Sequence, residues 1–448
     1  MRQLNNFPYK NVLVLGLAKS GIATCQVLLR NGLNVTANDL KADLSNPELI
    51  KLKEQGVQIT VGEHPLSLLD GIDLVIKSPG IPYHNELISN ALDRNIPVRT
   101  EIELLSYLIS QPVIGITGSN GKTTTTMLID DILSNSKMKS RVAGNIGTVA
   151  VEVAEQLQED ETLVLELSSF QLMGIDHFSP KVSVLLNLFE AHLDYHGDFN
   201  NYQEAKAMIF NQQTEADYLV YNADDPRVCQ LIQSAKSTLV PFSIKDKQTD
   251  GAWVDEQYVY FKDQQIIKLT DIRLVGEHNL ANCLASIAAS LLVGANLEGI
   301  NQTLTTFAGV RHRLQFVTER NGRQFYNDSK ATNILATSKA LASFKQPTML
   351  IAGGLDRGNA FDDLVPFLTN VKGMFLYGET ASKLAEAAHK AGVEIIEQAE
   401  TLDQMVHAAY AASESGDVIL LSPACASWDQ FKTFEERGDM FIELVHTL

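Results

Sequence analysis

The sequence predicts an α/β protein with three domains and mainly parallel sheets. Its 448 residues amount to about three times a common domain size, so more than one domain is expected. Short apolar runs of strand length alternate with segments whose apolar residues recur at helical spacing. Several runs end in glycine-rich or polar turns, at the strand ends where open α/β sheets bind ligands.

Composition and charge narrow the class of protein. Hydrophobic residues make up 45% and charged residues 20%, which supplies apolar cores and argues against disorder. The formal net charge of -18 argues against a nucleic-acid binder, because such proteins need a basic surface, and any nucleotide site must therefore concentrate cations locally. The four cysteines have no C-x-x-C spacing, which predicts reduced thiols and neither disulfides nor zinc.

No targeting or membrane segment is expected. Residues 1–10 are polar and lack the apolar region of a secretion signal. The most apolar helix candidate, residues 280–297, is too short and too interrupted by Ser286, Ser290 and Gly294 to span a bilayer. These features predict a cytoplasmic protein that does not insert into membranes.

The first domain is expected over residues 1–100. An apolar run at 11–15 ends in G-L-A-K-S-G, and a helical pattern and a second strand ending at Asp39 follow. This is a Rossmann-like unit with alanine at the second glycine, and alone it would suggest a dinucleotide site with Asp39 on a ribose hydroxyl. Farther along, the loop at 77–82 offers Ser78 and Gly80 as ligand candidates, with a plain Pro-Gly turn as the alternative.

A phosphate-binding loop is predicted in the second domain, residues 101–309. An apolar strand at 112–116 leads into T-G-S-N-G-K-T and a helix from Lys122. Loop N–H groups and the positive helix end attract an anion, Lys122 adds a cation, and the Thr123 hydroxyl can ligate Mg²⁺. A strict phosphate-loop pattern would need glycine where Ile116 stands. The loop residues expected at ATP are Gly118, Asn120, Gly121, Lys122, Thr123 and Thr124.

Further polar residues of this domain are candidates for metal or nucleotide contacts. Glu166 ends the apolar run T-L-V-L-E, where a second Mg²⁺ ligand is expected, and a solvated strand end is the alternative. His192 follows another strand, although a lone loop histidine is usually a surface residue. Composition favours a solvated helix lysine at Lys206. Asn279 and Asn282 share a helix face that could bind a base or phosphate, and a cap explains Asn279 equally well.

The third domain, residues 310–448, has the rhythm of another Rossmann-like sheet. Three of its predicted strands end in polar or glycine-rich segments, at Asp328-Ser329-Lys330, at residues 353–358 and at residues 422–427. Because parallel strands end at one sheet edge, these segments predict a ligand site there.

Two chemistries compete on the residues alone. The first domain could serve a nicotinamide oxidoreductase, but that function leaves Lys122, Thr123 and Glu166 unexplained. Nucleoside triphosphate and Mg²⁺ explain all three. A nucleotide-dependent switch or scaffold is the non-enzymatic alternative, and it would not need the polar strand ends of the third domain.

The combined motifs resemble the Mur ligase family over essentially the full length. They are T-G-S-N-G-K-T, E-L-S-S-F-Q-L, A-H-L-D-Y-H-G, G-E-H-N-L-A-N, H-R near 312 and L-S-P-A-C-A-S, in that order. The resemblance implies a Rossmann-like N-terminal domain, a central P-loop ATPase-type domain with a mainly parallel sheet, and a Rossmann-like C-terminal domain. E-L-S-S-F-Q-L and L-S-P-A-C-A-S are similar to the D-glutamate-adding branch of that family.

The resemblance therefore implies an ATP-dependent amide ligase of peptidoglycan precursor synthesis. Its substrates would be UDP-N-acetylmuramoyl-L-alanine and D-glutamate, joined through an acyl phosphate, and the protein would act as a monomer. A sister Mur ligase or a folylpolyglutamate-type ligase stays open as an alternative.

The resemblance also assigns roles to individual residues. Lys122, His192 and Lys206 would be catalytic, and Lys206 would carry a carbamate. Two Mg²⁺ ions would be held by Thr123, Glu166, His192 and Lys206. Further ATP contacts would come from Asn279, Asn282, Arg313 and Asp328. The UDP-substrate would contact Leu17, Ala18, Asp39, Lys41, Ser78, Gly80, Asn145 and Ser168. D-glutamate would contact Lys330, Thr332, Arg357, Ser427 and Phe434.

Overall fold

The computed structural model describes residues 1–448 and confirms the predicted fold class. The chain forms α/β structure with three sheets in which most strand pairs are parallel. It divides into two compact units, the first made of Met1–Asp271 and Ala281–Thr303 and the second of Ile272–Leu280 and Leu304–Leu448. The domain boundaries after residues 100 and 309 stay predictions.

The N-terminal sheet of the first unit has five parallel strands in the order β3-β2-β1-β4-β5. Its central strands are apolar because helices cover both faces. The turn after β1 needs Gly16, whose φ is +93° and where a Cβ would lie 2.5 Å from the Ser78 hydroxyl. The elements are β1 (Asn11–Leu15), α1 (Lys19–Arg30), β2 (Asn34–Asp39), α2 (Pro47–Glu54), β3 (Gln58–Val61), β4 (Leu74–Lys77), α3 (Glu86–Asp93) and β5 (Val98–Arg99).

The central sheet, also in the first unit, has nine strands in the order β14-β13-β12-β11-β10-β9-β6-β8-β7. Strands β6 to β11 pair in parallel, and β13 pairs antiparallel with β12 and β14. The elements are α4 (Leu105–Leu108), β6 (Val113–Thr117), α5 (Lys122–Asn135), β7 (Lys139–Gly144), α6 (Ala150–Gln156), β8 (Glu161–Glu166), α7 (Ser169–Leu172), β9 (Val182–Leu185), α8 (Leu193–His196), α9 (Phe199–Asn211), β10 (Tyr218–Asn222), α10 (Pro226–Leu231), β11 (Thr238–Ser243), β12 (Ala252–Val254), β13 (Tyr258–Phe261) and β14 (Gln264–Lys268).

The sequence predicts a β-hairpin here, from one strand at 253–261 and a second at 265–269, and the first of these strand predictions is wrong. The run 253–261 is not a single strand but two antiparallel strands, β12 and β13, joined by a turn. The Asp255 carboxylate makes the turn by accepting the backbone N–H groups of Gln257 and Tyr258, both at 2.7 Å. The expected hairpin is therefore the three-stranded meander β12-β13-β14.

Helices α11 (Glu277–Leu292) and α12 (Leu297–Thr306) follow the central sheet. Helix α11 begins directly after Gly276, whose carbonyl accepts the N–H groups of Asn279 and Leu280. None of the helices in residues 1–448 has the length and apolar character needed to cross a bilayer.

The sheet of the second unit has six strands in the order β15-β16-β20-β17-β18-β19, and only β15 runs antiparallel to its neighbour. Alternate side chains of β17 enter the cores on its two faces, Leu350 on one and Met349 on the other. The elements are β15 (Gln315–Arg320), β16 (Arg323–Asn327), α13 (Ile334–Leu341), β17 (Thr348–Gly353), β18 (Val371–Tyr377), α14 (Ala381–Ala391), β19 (Ile395–Ala399), α15 (Leu402–Ala412), β20 (Val418–Leu421) and α16 (Phe434–Thr447). Short 3-10 helices occur at Leu66–Leu69, Glu101–Leu104, Ile232–Ser234, Leu269–Asp271 and Asp362–Phe367.

Candidate active site

The predicted phosphate loop joins β6 to α5. Gly118 and Gly121 adopt φ of +153° and +85°, values that other residues rarely reach, and Gly121 is the N-cap of α5. The Lys122 ammonium donates to the loop carbonyls of Gly118 at 2.9 Å and Ser119 at 3.1 Å. The loop thus holds a lysine beside the positive end of a 14-residue helix, which is a suitable place for phosphate.

Asn187, which sequence reasoning missed, holds this loop in place. Its side chain accepts the Asn120 N–H at 2.9 Å and donates to the Asn120 carbonyl at 3.1 Å. Its own carbonyl accepts the Ser119 N–H at 3.0 Å. The residue lies just beyond β9, the strand next to β6, so only the sheet order brings it to the loop.

Glu166 is buried at the end of β8, beside β6, and the alternative of a solvated strand end is wrong. Its side chain is 2% exposed. One carboxylate oxygen accepts the Asn145 amide at 2.9 Å, and the other, Oε2, has no hydrogen-bond partner. A buried carboxylate oxygen without a partner is costly and fits a cation ligand.

Lys206 of α9 is buried, so the solvated lysine favoured by composition is wrong. Only 1% of it is exposed. Its ammonium donates to the Gly118 carbonyl at 3.0 Å and the Thr117 hydroxyl at 3.3 Å, and it lies over the Tyr202 ring. Burial and the Lys122 charge hold the pKa of Lys206 well below its ordinary value.

The two histidines after β9 differ in environment. His192 is exposed, adopts a left-handed φ of +55°, and packs its ring edge against Phe170. His196 is buried, stacks on Phe170 and lies 3.0 Å from the Ser169 hydroxyl. Burial and the charge of Lys206 lower the pKa of His196. The sequence predicts surface positions for both histidines of the A-H-L-D-Y-H-G motif, and that prediction is wrong for His196.

The candidates in the N-terminal sheet lie at the carboxyl ends of β1, β2 and β4. One Asp39 oxygen accepts the Leu17 N–H at 2.6 Å, and the other accepts the N–H groups of Lys41 and Ala42 at 2.7 and 2.9 Å. The Ser78 hydroxyl donates to the Gly16 carbonyl at 3.3 Å. Asp39 therefore shapes its own loop. Ala18 is the N-cap of α1, and Gly80 lies in the turn after Ser78.

Ser168 and the asparagines make local structural contacts. Ser168 caps α7 reciprocally with Gln171. The Asn279 side chain donates to the Val275 carbonyl at 2.9 Å. Asn282 reaches the phosphate loop, since a Cβ at Gly121 would lie 2.3 Å from its Oδ1. The remaining loop candidates, Thr123 and Thr124, are half-buried in the first turn of α5.

In the second unit, Asp328 is buried at the end of β16. Its two oxygens accept the Leu314 N–H at 3.0 Å and the Ser422 hydroxyl at 2.9 Å. Burial raises the pKa of Asp328 to about 7, although these hydrogen bonds and the nearby Arg313 oppose the rise. Asp328 is thus held by the end of the neighbouring strand, β20.

The other candidates of this unit lie on the loops at the same sheet edge. Lys330 lies over the Phe434 ring at 4.4 Å, and Arg357 lies over the exposed Trp428 ring at 4.8 Å. Ser427 is buried. Thr332 is half-buried in the segment before α13.

Arg437 was missed by the sequence analysis, although it is fully buried in α16. Its guanidinium donates to the Ser329 and Cys425 carbonyls at 2.8 and 3.1 Å and to the Ser329 hydroxyl at 3.0 Å. It therefore ties the loops after β16 and β20 together. An arginine in an amphipathic helix gives no sequence signal of such burial.

The side chains near the phosphate loop offer few metal ligands. No group of three or more His, Cys, Asp or Glu residues in 1–448 is arranged to hold a metal ion. The buried Glu166 Oε2, which has no hydrogen-bond partner, nevertheless suits a Mg²⁺ ligand, and Thr123 stays the second predicted ligand. A second site would need Lys206 as an anion, because an ammonium cannot ligate a cation.

Comparison with known families matches almost the whole chain. In sequence order, the chain matches the N-terminal domain of Mur ligase MurD-like proteins over residues 10–100, the Mur ligase middle domain over 116–290 and the Mur ligase glutamate ligase domain over 312–425.

Individual relatives and solved structures agree with these matches. The chain is 57% identical over 448 residues to a UDP-N-acetylmuramoylalanine--D-glutamate ligase of Oceanobacillus iheyensis, with 100% of both chains covered. The corresponding ligase of Bacillus mycoides is 53% identical over 449 residues, again with 100% of both covered. A UDP-N-acetylmuramate-alanine ligase structure from Thermotoga maritima aligns with a TM-score of 0.58 at 18% identity, covering 98% of this chain and 99% of that one. One from Acinetobacter baumannii, a MurF, aligns with a TM-score of 0.60 at 17% identity, covering 96% and 93%.

Proposed function

This chain belongs to the Mur ligase family, and we propose that it is the ATP-dependent ligase that joins D-glutamate to UDP-N-acetylmuramoyl-L-alanine. The observation that carries the proposal is the 57% identity, over the full length of both chains, to a ligase named for that reaction. The product is a peptidoglycan precursor. We further propose that the protein acts as a monomer in the cytoplasm.

The reaction must first activate a carboxylate. The L-alanyl carboxylate attacks the γ-phosphorus of ATP, the bond to the β,γ-bridging oxygen breaks, and an acyl phosphate and ADP form. The D-glutamate amine then attacks the acyl carbon, the tetrahedral intermediate expels inorganic phosphate, and the nitrogen loses its extra proton. Positioning and charge neutralisation supply much of the rate enhancement in such transfers.

The phosphate loop would hold the ATP phosphates. The N–H groups at the start of α5 point out of the helix end, and the Lys122 ammonium is tethered to loop carbonyls at 2.9 and 3.1 Å. Moving that ammonium to the β- and γ-phosphates exchanges two neutral acceptors for charged ones, which strengthens its hydrogen bonds. Gly118, Asn120, Gly121, Thr124, Asn279, Asn282, Arg313 and Asp328 are the further ATP contacts proposed.

Mg²⁺ fits the first of the two sites proposed. Thr123 and Glu166 would hold one ion, and His192 with carbamylated Lys206 would hold a second. Bound Mg²⁺ supplies neutralisation of the charge that develops on the phosphoryl oxygens. Asn145 supports this role, because its amide fixes Glu166 through one oxygen and leaves the other available.

The burial of Lys206 supports its carbamylation. Its amine loses water contacts and lies near the Lys122 charge, and both effects favour the neutral form. A neutral amine adds CO₂ and releases a proton, which converts a buried cation into a carboxylate-like anion. The side-chain oxygens of the carbamate could then serve as metal ligands.

Binding of the other substrates is proposed at the remaining strand ends. Leu17, Ala18, Asp39, Lys41, Ser78, Gly80, Asn145 and Ser168 would contact the UDP-substrate, and Lys330, Thr332, Arg357, Ser427 and Phe434 would contact D-glutamate. The role of a Rossmann-like unit without a dinucleotide is thereby explained.

Phosphate release from ATP tests the proposal directly. Purified protein is assayed with UDP-N-acetylmuramoyl-L-alanine and either D-glutamate, L-glutamate, L-lysine or meso-diaminopimelate. Release that depends on D-glutamate supports the proposal, and release with another amino acid alone indicates a sister ligase. Activity with folate and L-glutamate would indicate a folylpolyglutamate-type ligase.

A variant at Lys122 tests whether the ATP that is hydrolysed is bound at the phosphate loop. Lys122→Ala is expected to lose on the order of 10²-fold or more in rate, because a preorganised charge is removed. The matched control is Lys139→Ala, which removes an exposed lysine that pairs with Asp160. Near-normal turnover by Lys122→Ala would contradict the assignment of ATP to the loop.

A further inference from the structure

Lys77 is a buried lysine that the proposed reaction does not use. It ends β4, directly before the proposed substrate residues Ser78 and Gly80, and only 1% of it is exposed. Burying an ammonium is costly unless its three protons find acceptors. The acceptors of the Lys77 ammonium therefore show which segments this buried side chain holds together.

Those contacts join two separate segments of the first unit. The Lys77 ammonium donates to the carbonyls of Ile81 at 2.9 Å and Pro79 at 3.2 Å, both in the turn that carries Gly80. Its third proton reaches the Tyr195 hydroxyl at 3.2 Å. The Ser78 carbonyl lies farther away, at 3.5 Å, so the three protons have four acceptors, three in the loop at 78–81 and one in α8.

Tyr195 closes the network from the other side. Its hydroxyl lies 3.0 Å from the Ile81 carbonyl and 3.1 Å from the Pro79 carbonyl, and its single proton can be donated to one of them. The hydroxyl accepts from Lys77 and donates to the loop at once. Removing it would take away the contact between Lys77 and α8, whereas the Pro79 and Ile81 carbonyls would still accept from the ammonium.

The position of Tyr195 gives this link its significance. It lies in the four-residue helix α8, which begins directly after His192. His192 adopts a left-handed φ of +55°, a conformation that costs energy and persists only where neighbouring contacts impose it. The Tyr195 ring packs against Phe170 at 4.5 Å between centroids, and Phe170 also contacts the His192 ring.

The charge of the network is also accounted for. Burial lowers the pKa of Lys77 to about 8, and the buried Glu101 carboxylate opposes that shift, so the ammonium is the main form at neutral pH. The Tyr83 ring lies 4.8 Å from the ammonium and adds a cation–π contact.

We propose that Lys77 is a positioning residue that, through Tyr195, holds the substrate loop at 78–81 and the His192 turn in one arrangement. This rests on the proposed function, in which the loop contacts the UDP-substrate and His192 holds the second Mg²⁺. Binding of the UDP-substrate and placement of His192 then depend on the same ammonium.

Steady-state kinetics of Lys77→Met and Tyr195→Phe test the proposal. Each variant is expected to raise the KM for UDP-N-acetylmuramoyl-L-alanine by about 10-fold or more, the scale of a lost hydrogen bond to a charged group. The KM for ATP stays unchanged, because Asn187 holds the phosphate loop independently. The KM of the double variant for the UDP-substrate should rise no further than that of the more impaired single variant, because both changes break the same link.

Tyr83→Phe is the matched control. Tyr83 is also half-buried beside Lys77, but its hydroxyl donates to the Met173 carbonyl at 3.0 Å and takes no part in the link. It should leave the KM for the UDP-substrate unchanged. An equal effect of Tyr83→Phe, additive losses in the double variant, or a normal KM in Tyr195→Phe would overturn the proposal.

Hydrogen exchange supplies a readout that does not need activity. Tyr195→Phe, which preserves the ring and its packing, should speed amide exchange in both segments, 78–82 and 192–196. Faster exchange only near residue 195 would overturn the link even if the enzyme is active. Inactive wild-type protein with D-glutamate would instead refute the proposed function and leave the exchange result to decide the link.

Discussion

At the scale of residues, the proposed chemistry depends on buried ionisable side chains. Lys206 and Glu166 are 1% and 2% exposed, and both lie beside the phosphate loop in the first unit. Each is costly to bury with its charge unsatisfied. A carbamate on Lys206 would be an anion like Glu166, and a bound Mg²⁺ would neutralise both charges.

The first prediction concerns the carbamate itself. In protein equilibrated with ¹³C-bicarbonate, NMR should show a carbamate carbon that is absent in Lys206→Met. The control Lys139→Met should keep that signal, because it removes an exposed lysine that pairs with Asp160 and leaves the surroundings of Lys206 intact. A signal that persists in Lys206→Met would contradict modification at this lysine, as would its absence from the wild type.

The second prediction concerns Asp328. Its pKa is raised by burial to about 7, above the ordinary value of 3.8, so folding takes up a proton between these values. Stability from this group is therefore full below about pH 4 and is lost as pH rises through about 7. Asp328→Asn removes the penalty, so its Tm relative to wild type should rise by about 2–4 °C between pH 5 and pH 8.

Thermal unfolding at the two pH values measures this difference. Asp362→Asn is the control, because Asp362 is an exposed carboxylate that pairs with Lys390. A Tm difference for Asp328→Asn that is the same at both pH values would show that the carboxyl group is not protonated on folding.

Single residues could be predicted where a strand end or glycine loop marks them. Glu166 followed an apolar run and Lys122 followed Gly121, so their placement beside β6 was readable. Asn187 and Lys77 could not be found, because their partners are carbonyls and amides of other segments. Only the order of strands and the course of the turns bring those groups together.

At the scale of elements, the turn between β6 and α5 shows why glycine is needed. Gly121 combines a φ of +85° with a site where a Cβ would lie 2.3 Å from the Asn282 amide oxygen. Both effects act on the same residue. The loop therefore tolerates no side chain at its junction with the helix.

The third prediction follows from this geometry. Gly121→Ala should raise the KM for ATP and lower Tm, since strain of about 1–3 kcal/mol is added and Asn282 is displaced. Gly392→Ala is the matched control, because φ there is +74° and a Cβ would meet nothing within 4 Å. If both variants lose the same stability and keep the same KM for ATP, the contact with Asn282 is without consequence.

The elements themselves were largely predictable, with one instructive error. Apolar runs such as 112–116 identified the buried strands, because helices cover both faces of a parallel sheet. The sequence predicts one strand over 253–261 because aromatic and β-branched residues lie on both sides of the turn that Asp255 makes. Strand order across the sheet had no sequence signal at all.

At the scale of the whole molecule, the three sheets bring the glycine loops and polar strand ends to sheet edges. The fold class followed from alternating strand and helix patterns, and the chain proved to be 57% identical to a ligase over its full length. The particular substrates were not readable from composition or periodicity. They depended on motifs such as E-L-S-S-F-Q-L, whose resemblance to the family the comparisons then confirmed.

The central claim is that this protein activates a carboxylate as an acyl phosphate. The fourth prediction tests it with UDP-N-acetylmuramoyl-L-alanine labelled with ¹⁸O in the alanyl carboxylate. During ligation with ATP and D-glutamate, the carboxylate oxygen that attacks the γ-phosphorus leaves with the phosphate. Mass spectrometry of the released phosphate should find one ¹⁸O per molecule, and product formation with unlabelled phosphate would contradict the account.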